Sequence, residues 1–221
     1  MTDQPPTRLG TPAPRTLELY SEASVPTTRG VFRTVVFREK KTGIEHVAMV
    51  RGELEGAEGA VVRVHSECLT SEVFGSLKCD CKAQLDHALD VVAATNRGAV
   101  LYLRQEGRGI GLGNKIKAYK LQSEGADTYE ANRMLGFGDD LRRYDIAAEM
   151  LRLLGVRSVD LITNNPLKIA ALVEEGIPVR RRVPSKAPVN PHNVDYLRVK
   201  KERSGHLLNV PDAEDDSEQA G

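Results

Sequence analysis

Between residues 30 and 67 the chain alternates apolar and polar positions over short runs. "VFRTVVF", "EHVAMV" and "AVVRVHSE" are rich in β-branched side chains and read as strands, with the Gly-rich "RGELEGAEGA" turning between the last two. Further along, the apolar period lengthens. Leu85, Ala88, Leu89 and Val92 recur at helical spacing, Gly98 falls where that helix should end, and "AVLYL" follows as a short buried strand. Ile146, Ala147, Met150 and Leu154 predict another helix, stopped by Gly155, before the strand "VDLIT". Pro166 opens a further helix, with Ile169, Ala170 and Val173 expected inward and Gly176 closing it. The expectation is an α/β fold: a β-rich N-terminal part leading into a largely parallel βαβ sheet covered by helices. Ligands of such sheets collect at the C-terminal ends of the strands.

A chain of 221 residues can bury a proper core. Residues 1–15 are rich in Pro and Thr, and residues 210–221 are acidic and almost without apolar side chains; both are expected to be flexible tails around a single domain at 16–209. Lys plus Arg and Asp plus Glu each number 31, so the formal net charge is zero and no broad electrostatic footprint for nucleic acid is present. No apolar signal segment opens the chain, and no run of about 18 apolar residues suits a membrane span. The expected compartment is a reducing cytoplasm, where clustered cysteines bind metal or do chemistry more often than they pair.

Three stretches carry chemistry. All three cysteines, Cys68, Cys79 and Cys81, sit inside "HSECLTSEVFGSLKCDCK". On a regular strand Cys79 and Cys81 would face opposite ways, so sharing a metal requires a turn, which Gly75, Ser76 and Asp80 make plausible, held by a helix starting near Lys82. Three thiolates suit zinc and leave a fourth position for water, whose pKa the metal lowers towards about 7. The plainer alternatives are ordinary buried cysteines, or a closed structural site with His65 as fourth ligand. The second stretch, "RQEGRGIGLGNKIKAYKLQ", places Gly107, Gly109, Gly111 and Gly113 before a helix carrying Ile116 and Tyr119. Its glycines let backbone N–H groups approach a ligand, and Arg104, Glu106 and Arg108 add charge, although solvated loop residues would look the same. In the third, "LITNNPLKIAALVEEG", Asn165 can cap the helix that Pro166 begins. Lys168 in its first turn opposes the helix dipole, and a bound phosphate would remove the conflict.

Together "RVHSECLT", "CDC" followed by Gln84 and Leu85, "RQEGRGIGLGNKI", "LGF" and "LITNNP" resemble GTP cyclohydrolase II of riboflavin synthesis, from about residue 25 to "GHLLN" ending at Asn209. Bifunctional members carry a dihydroxybutanone phosphate synthase domain in front, for which this chain has no room, so the monofunctional form is expected. Lys82 stands where many relatives have Gly; a lysine there could lower a thiol pKa.

The resemblance implies that GTP loses C8 as formate and also loses diphosphate, giving 2,5-diamino-6-(5-phosphoribosylamino)pyrimidin-4-one. It implies one zinc per chain on Cys68, Cys79 and Cys81, with magnesium on the triphosphate. It assigns GTP contacts to Arg63, Val64, His65, Ser66, Glu67, Gln84, Glu106, Gly107, Arg108, Thr128, Thr163 and Lys168. Glu106 is the candidate acceptor for guanine N1–H and the 2-amino group, with Gln84 the fallback; Arg108, Thr163 and Lys168 suit phosphate oxygens. In the family, the matches of Asp140 and Arg142 are proton acceptor and nucleophile. A guanidinium stays protonated, so electrostatic stabilisation of the reacting phosphoryl group fits Arg142 better. Tyr119 matches a family tyrosine and either faces the guanine or packs in the core. A homodimer is implied, without nucleic-acid or membrane partners. Two rival functions are a zinc-dependent purine nucleotide deaminase, whose signature needs a P-C-x-x-C after H-x-E that is missing here, and a non-catalytic zinc-stabilised nucleotide-binding module.

Overall fold

The computed structural model describes residues 15–138, 140–186, 188–208 and 210, so nearly all of both expected tails lies outside the described residues. Its strands are β1 (Leu17–Thr27), β2 (Gly30–Glu39), β3 (Glu45–Arg51), β4 (Ala60–Ser66), β5 (Gly98–Leu103), β6 (Val159–Ile162) and β7 (Val179–Val183). They form one sheet in the order β1-β2-β3-β5-β4-β6-β7. The hairpin-linked half, from β1 to β5, is antiparallel, and β5, β4, β6 and β7 run parallel. The β-rich N-terminal part and the parallel βαβ core thus meet at β5, whose partners are β3 on one side and β4 on the other.

The helices are α1 (Leu69–Glu72), α2 (Cys81–Ala93), α3 (Leu112–Ser123), α4 (Thr128–Met134), α5 (Asp145–Leu153), α6 (Pro166–Glu174) and α7 (Val194–Ser204). They cover both faces of the sheet. On one face α2 buries Ala88 and Val92 against Phe32, Val100 and Ile162. On the other, α5 buries Ile146, Ala147, Met150 and Leu151, and α6 buries Leu172, against Val62, Val64, Leu101 and Leu161. Each fully buried Leu there contributes about 1.5–3 kcal/mol relative to exposure.

Several expectations are corrected. Gly98 does not end a helix: α2 stops at Ala93, and Gly98 is the first residue of β5, where a Cβ would lie 2.6 Å from the Val61 carbonyl oxygen. Close approach of two strands, not chain reversal, requires that glycine. On α6, Ile169 packs against the core as expected, but Ala170 and Val173 face solvent, and Leu172 and Lys168 are the fully buried residues. Gly155 and Gly176 do close α5 and α6, both with left-handed φ, and Asn165 caps α6 by accepting from Leu167 N. Strands β1 and β7 carry little pattern. Every β1 residue after Leu17 is exposed, and the "VRRRV" of β7 holds its edge position with Arg181 donating to Asp160 on β6 at 2.7 Å.

Candidate active site

The thiols converge because the chain bends twice after β4. Cys68 precedes α1, a left-handed Gly75 turns the chain, and Cys81 is the first residue of α2, where Lys82 N donates to Ser71 Oγ at 3.2 Å. The sulfurs of Cys68, Cys79 and Cys81 lie within 4.8 Å of one another, with Cys68 and Cys79 3.6 Å apart. Hydrogen bonds from the Cys79 and Cys81 thiols, then the Lys115 ammonium, hold the Cys68 thiol far below its ordinary range, and Cys68 in turn pushes the other two up. Three thiols here compete for one negative charge. A divalent cation removes that competition, so the donor set fits zinc.

His65 is not part of the cluster. Its Nε2 lies 2.7 Å from Glu72 Oε1, and its ring stacks on Tyr102, which donates to the same carboxylate. Burial lowers its pKa. Among the described residues the cluster gathers three thiols and no histidine nitrogen, which favours three protein ligands over four.

Beyond β5 the backbone becomes tight. Gly107 and Arg108 both adopt left-handed φ, +63° and +59°, which is strained for the arginine. Gly109 is pressed against the next loop: a Cβ would meet the Leu141 carbonyl oxygen at 2.9 Å, and Leu141 N donates to Arg108 O at 3.0 Å. The glycine loop thereby carries the segment of Asp140 and Arg142. Glu106 points inward and is buried; its Oε2 accepts from Leu69 N at 2.7 Å, its Oε1 from Gly107 N and from Lys115 Nζ, both at 2.8 Å. Lys115 also donates to Cys68 Sγ at 3.0 Å. Burial alone would lower its pKa, but Glu106 and Cys68 outweigh this and keep it charged.

One cavity of about 720 Å³ joins these pieces at the C-terminal ends of β4, β5 and β6. Arg63, Arg108, Arg142, Lys168 and Lys200 line it together with the three thiols. Arg142 is clasped by Asp140: its Nε donates to Oδ1 at 2.8 Å, its Nη2 to Oδ2, and its backbone N to Oδ1 at 3.0 Å. Burial lifts the Asp140 carboxyl, but Arg142 prevails and holds it below its ordinary value, while Arg142 itself is stabilised as a cation. Lys168 donates to Val64 O at 2.8 Å, and burial among Arg63 and Arg142 pushes its pKa far down. Gln84 is held between Arg63 Nη2, at 2.5 Å, and Asp80. Tyr119 faces the cavity, and burial raises its phenol to about 12.

Of the residues expected to touch substrate, Arg63, His65, Ser66, Glu67, Gln84, Glu106, Gly107, Arg108, Thr163 and Lys168 line this cavity. Val64 is different: its side chain sits in the core. Thr128 begins α4, and its side chain lies outside the described residues. The sequence reading missed Lys115, Tyr196 and Lys200. Lys115 lay inside a motif already singled out, but a lysine on a lysine-rich helix looks solvated until the fold shows which face it occupies.

Thiol cluster and cation-lined cavity together suit a metal ion beside an anionic ligand. Residues 18–184 match the GTP cyclohydrolase II family. The "GTP cyclohydrolase-2" of Saccharophagus degradans is 48% identical over 199 residues, covering 90% of this chain and 100% of that protein. The protein of the same name from Tolumonas auensis is 50% identical over 192 residues, covering 87% and 98%. The "Riboflavin biosynthesis protein RibBA" of Bacillus subtilis is 53% identical over 193 residues, which are 87% of this chain but 48% of that longer protein. The chain belongs to the GTP cyclohydrolase II family.

Proposed function

We propose that this enzyme opens the imidazole ring of GTP with water in riboflavin biosynthesis, releasing formate and diphosphate, with one zinc on Cys68, Cys79 and Cys81 and magnesium on the triphosphate. The observation that carries the reading is a single cavity lined by both a three-thiol cluster and seven lysine and arginine side chains. When bound, zinc supplies a Lewis acid that activates water at neutral pH. The three thiols hold it, and Lys115, fixed by Glu106, offsets their negative charge. Glu106 has three of a carboxylate's roughly four acceptor sites occupied, so it belongs to the frame of the thiol site rather than to guanine reading.

Arg108, Thr163 and Lys168 receive the phosphates. A charged ligand rewards the otherwise costly burial of Lys168 among other cations. Arg142 stays protonated and has no free electron pair to attack phosphorus, so it stabilises charge during diphosphate loss. Asp140, held below its ordinary range, is a weak proton acceptor and aims Arg142. Tyr119, a phenol at neutral pH, donates to the substrate.

The enzyme works as a homodimer in the cytoplasm. Supporting this are exposed apolar side chains such as Phe74, at 75% exposure, the strand β1 open on both faces, and three reduced thiols suited to a reducing compartment. Among the described residues no helix is long and apolar enough to cross a membrane.

Metal analysis tests the site. Purified protein carries about one zinc per chain, and Cys81→Ser loses it while still binding GTP. Full ring opening by zinc-free Cys81→Ser overturns the metal role.

A further inference from the structure

Helix α7 follows the segment matched by the family, which ends at residue 184, yet it supplies Tyr196, Val199 and Lys200 to the cavity wall. Its own packing is thin. Among its described side chains only Leu197 is a fully buried apolar residue; the other buried one is Lys200. Lys200 Nζ donates to Asp80 Oδ1 at 3.0 Å, across 120 positions of sequence. Asp80 stands between two of the thiols, Cys79 and Cys81, and is itself 3% exposed. Its other oxygen accepts from Gln84, which accepts from Arg63, whose Nη1 donates to Ile162 O at 3.0 Å at the end of β6. Past α7 the chain returns to the same strand end, where Leu207 N donates to Asn164 O at 2.9 Å.

We infer that α7 is a wall of the active cavity and that Lys200 is the positioning residue that sets it, through Asp80, against the turn holding the thiols. A helix with so little apolar contact takes its register from directional polar contacts, and a buried ion pair supplies them. The pair touches the thiol turn, while Tyr196 lines the same cavity as Arg142, so the placement of α7 bears on both parts of the reaction. With α7 unmoored, bound GTP must order that wall itself, which appears as weaker apparent substrate binding. The inference rests on GTP as the ligand.

The test compares wild type, Lys200→Met, Lys200→Arg and the double variant Asp80→Asn/Lys200→Met. Zinc per chain, kcat and KM for formate release, and the rate of tryptic cleavage within residues 194–204, with and without GTP, are measured. Lys200→Met is expected to keep its zinc, raise KM about tenfold or more, and expose α7 to faster cleavage without ligand, which only correspondingly higher GTP concentrations slow. Lys200→Arg restores KM and protection. Should Lys200→Met fail to fold because Asp80 is stranded, the double variant removes that charge and should fold with zinc and a rapidly cleaved α7. Wild-type KM and cleavage in the folded single variant, or wild-type cleavage in the double variant, overturns the inference. Absence of formate from wild type would instead overturn the GTP reading, and the cleavage rates without ligand would still judge Lys200.

Discussion

The ammonium of Lys115 stands 3.0 Å from the sulfur of Cys68. Its other contact, Glu106 at 2.8 Å, also accepts from the backbone N–H of Leu69, the residue after that cysteine. One buried cation and one buried carboxylate thus fix both the charge and the position of a thiol. Partners of this kind typically tune metal affinity 10- to 100-fold. Lys115→Met is therefore expected to weaken zinc retention by about that range, measured by competition with a chromophoric chelator. Unchanged retention would reduce Lys115 to a packing role.

Glu106 separates two accounts of one residue. As a base reader, its loss would change nucleotide preference and leave the fold alone. As the frame of the thiol site, its loss strands the Lys115 charge and the Leu69 N–H. Breaking a buried pair costs on the order of 3–5 kcal/mol. Glu106→Ala is expected to lower the urea unfolding free energy by about that amount and to loosen zinc, with the GTP-over-ATP preference largely kept. Wild-type stability with lost preference would restore the base-reading role.

Much of this site is legible in the sequence because its signals are local. Three cysteines within one window, glycines where backbones touch, and Pro166 after Asn165 each declare a geometry. The parallel core is legible because buried strands and amphipathic helices have distinct periods. What stays hidden depends on which face a polar residue occupies. Lys115 reads as one more surface lysine, and α7, "VDYLRVKKERS", has almost no apolar stripe. β1 shows no inward face since it has almost none, and the expected inward Val173 loses to Leu172 because α6 turns Lys168 towards the cavity.

Lys168 is buried beside Arg63 and Arg142, and burial among like charges disfavours its charged form. Such a site trades stability for anion affinity. Lys168→Met is expected to raise the ligand-free melting temperature and to weaken GTP binding roughly 10- to 150-fold, the worth of a lost charge-assisted hydrogen bond. Thermal melts with and without GTP read both effects. A lower ligand-free melting temperature would show that the Val64 carbonyl contact outweighs the repulsion.

His46 ties the sheet to the glycine loop in its neutral form. Its Nδ1 accepts from Arg104 N at 3.1 Å, and Nε2 lies 3.1 Å from Glu39. Burial lowers its pKa against the pull of Glu39, and burial likewise lowers that of His65 and takes that of His206 down to about 4. These pKa values are lower folded than unfolded, so the unfolded chain binds more protons at mildly acid pH. The stabilisation is present above about pH 6.5 and is lost as pH falls towards 4. Urea midpoints should drop across that window, with a shallower slope in His46→Gln. An equal slope in the variant would remove His46 from the account.

Product analysis is the most direct test of the central claim, that this cavity opens the guanine ring of GTP. With GTP and magnesium, the wild-type enzyme should release formate and diphosphate in about equal amounts and no ammonia, and Cys81→Ser should release no formate. Ammonia with an intact ring, or no product at all from zinc-loaded protein, would contradict it.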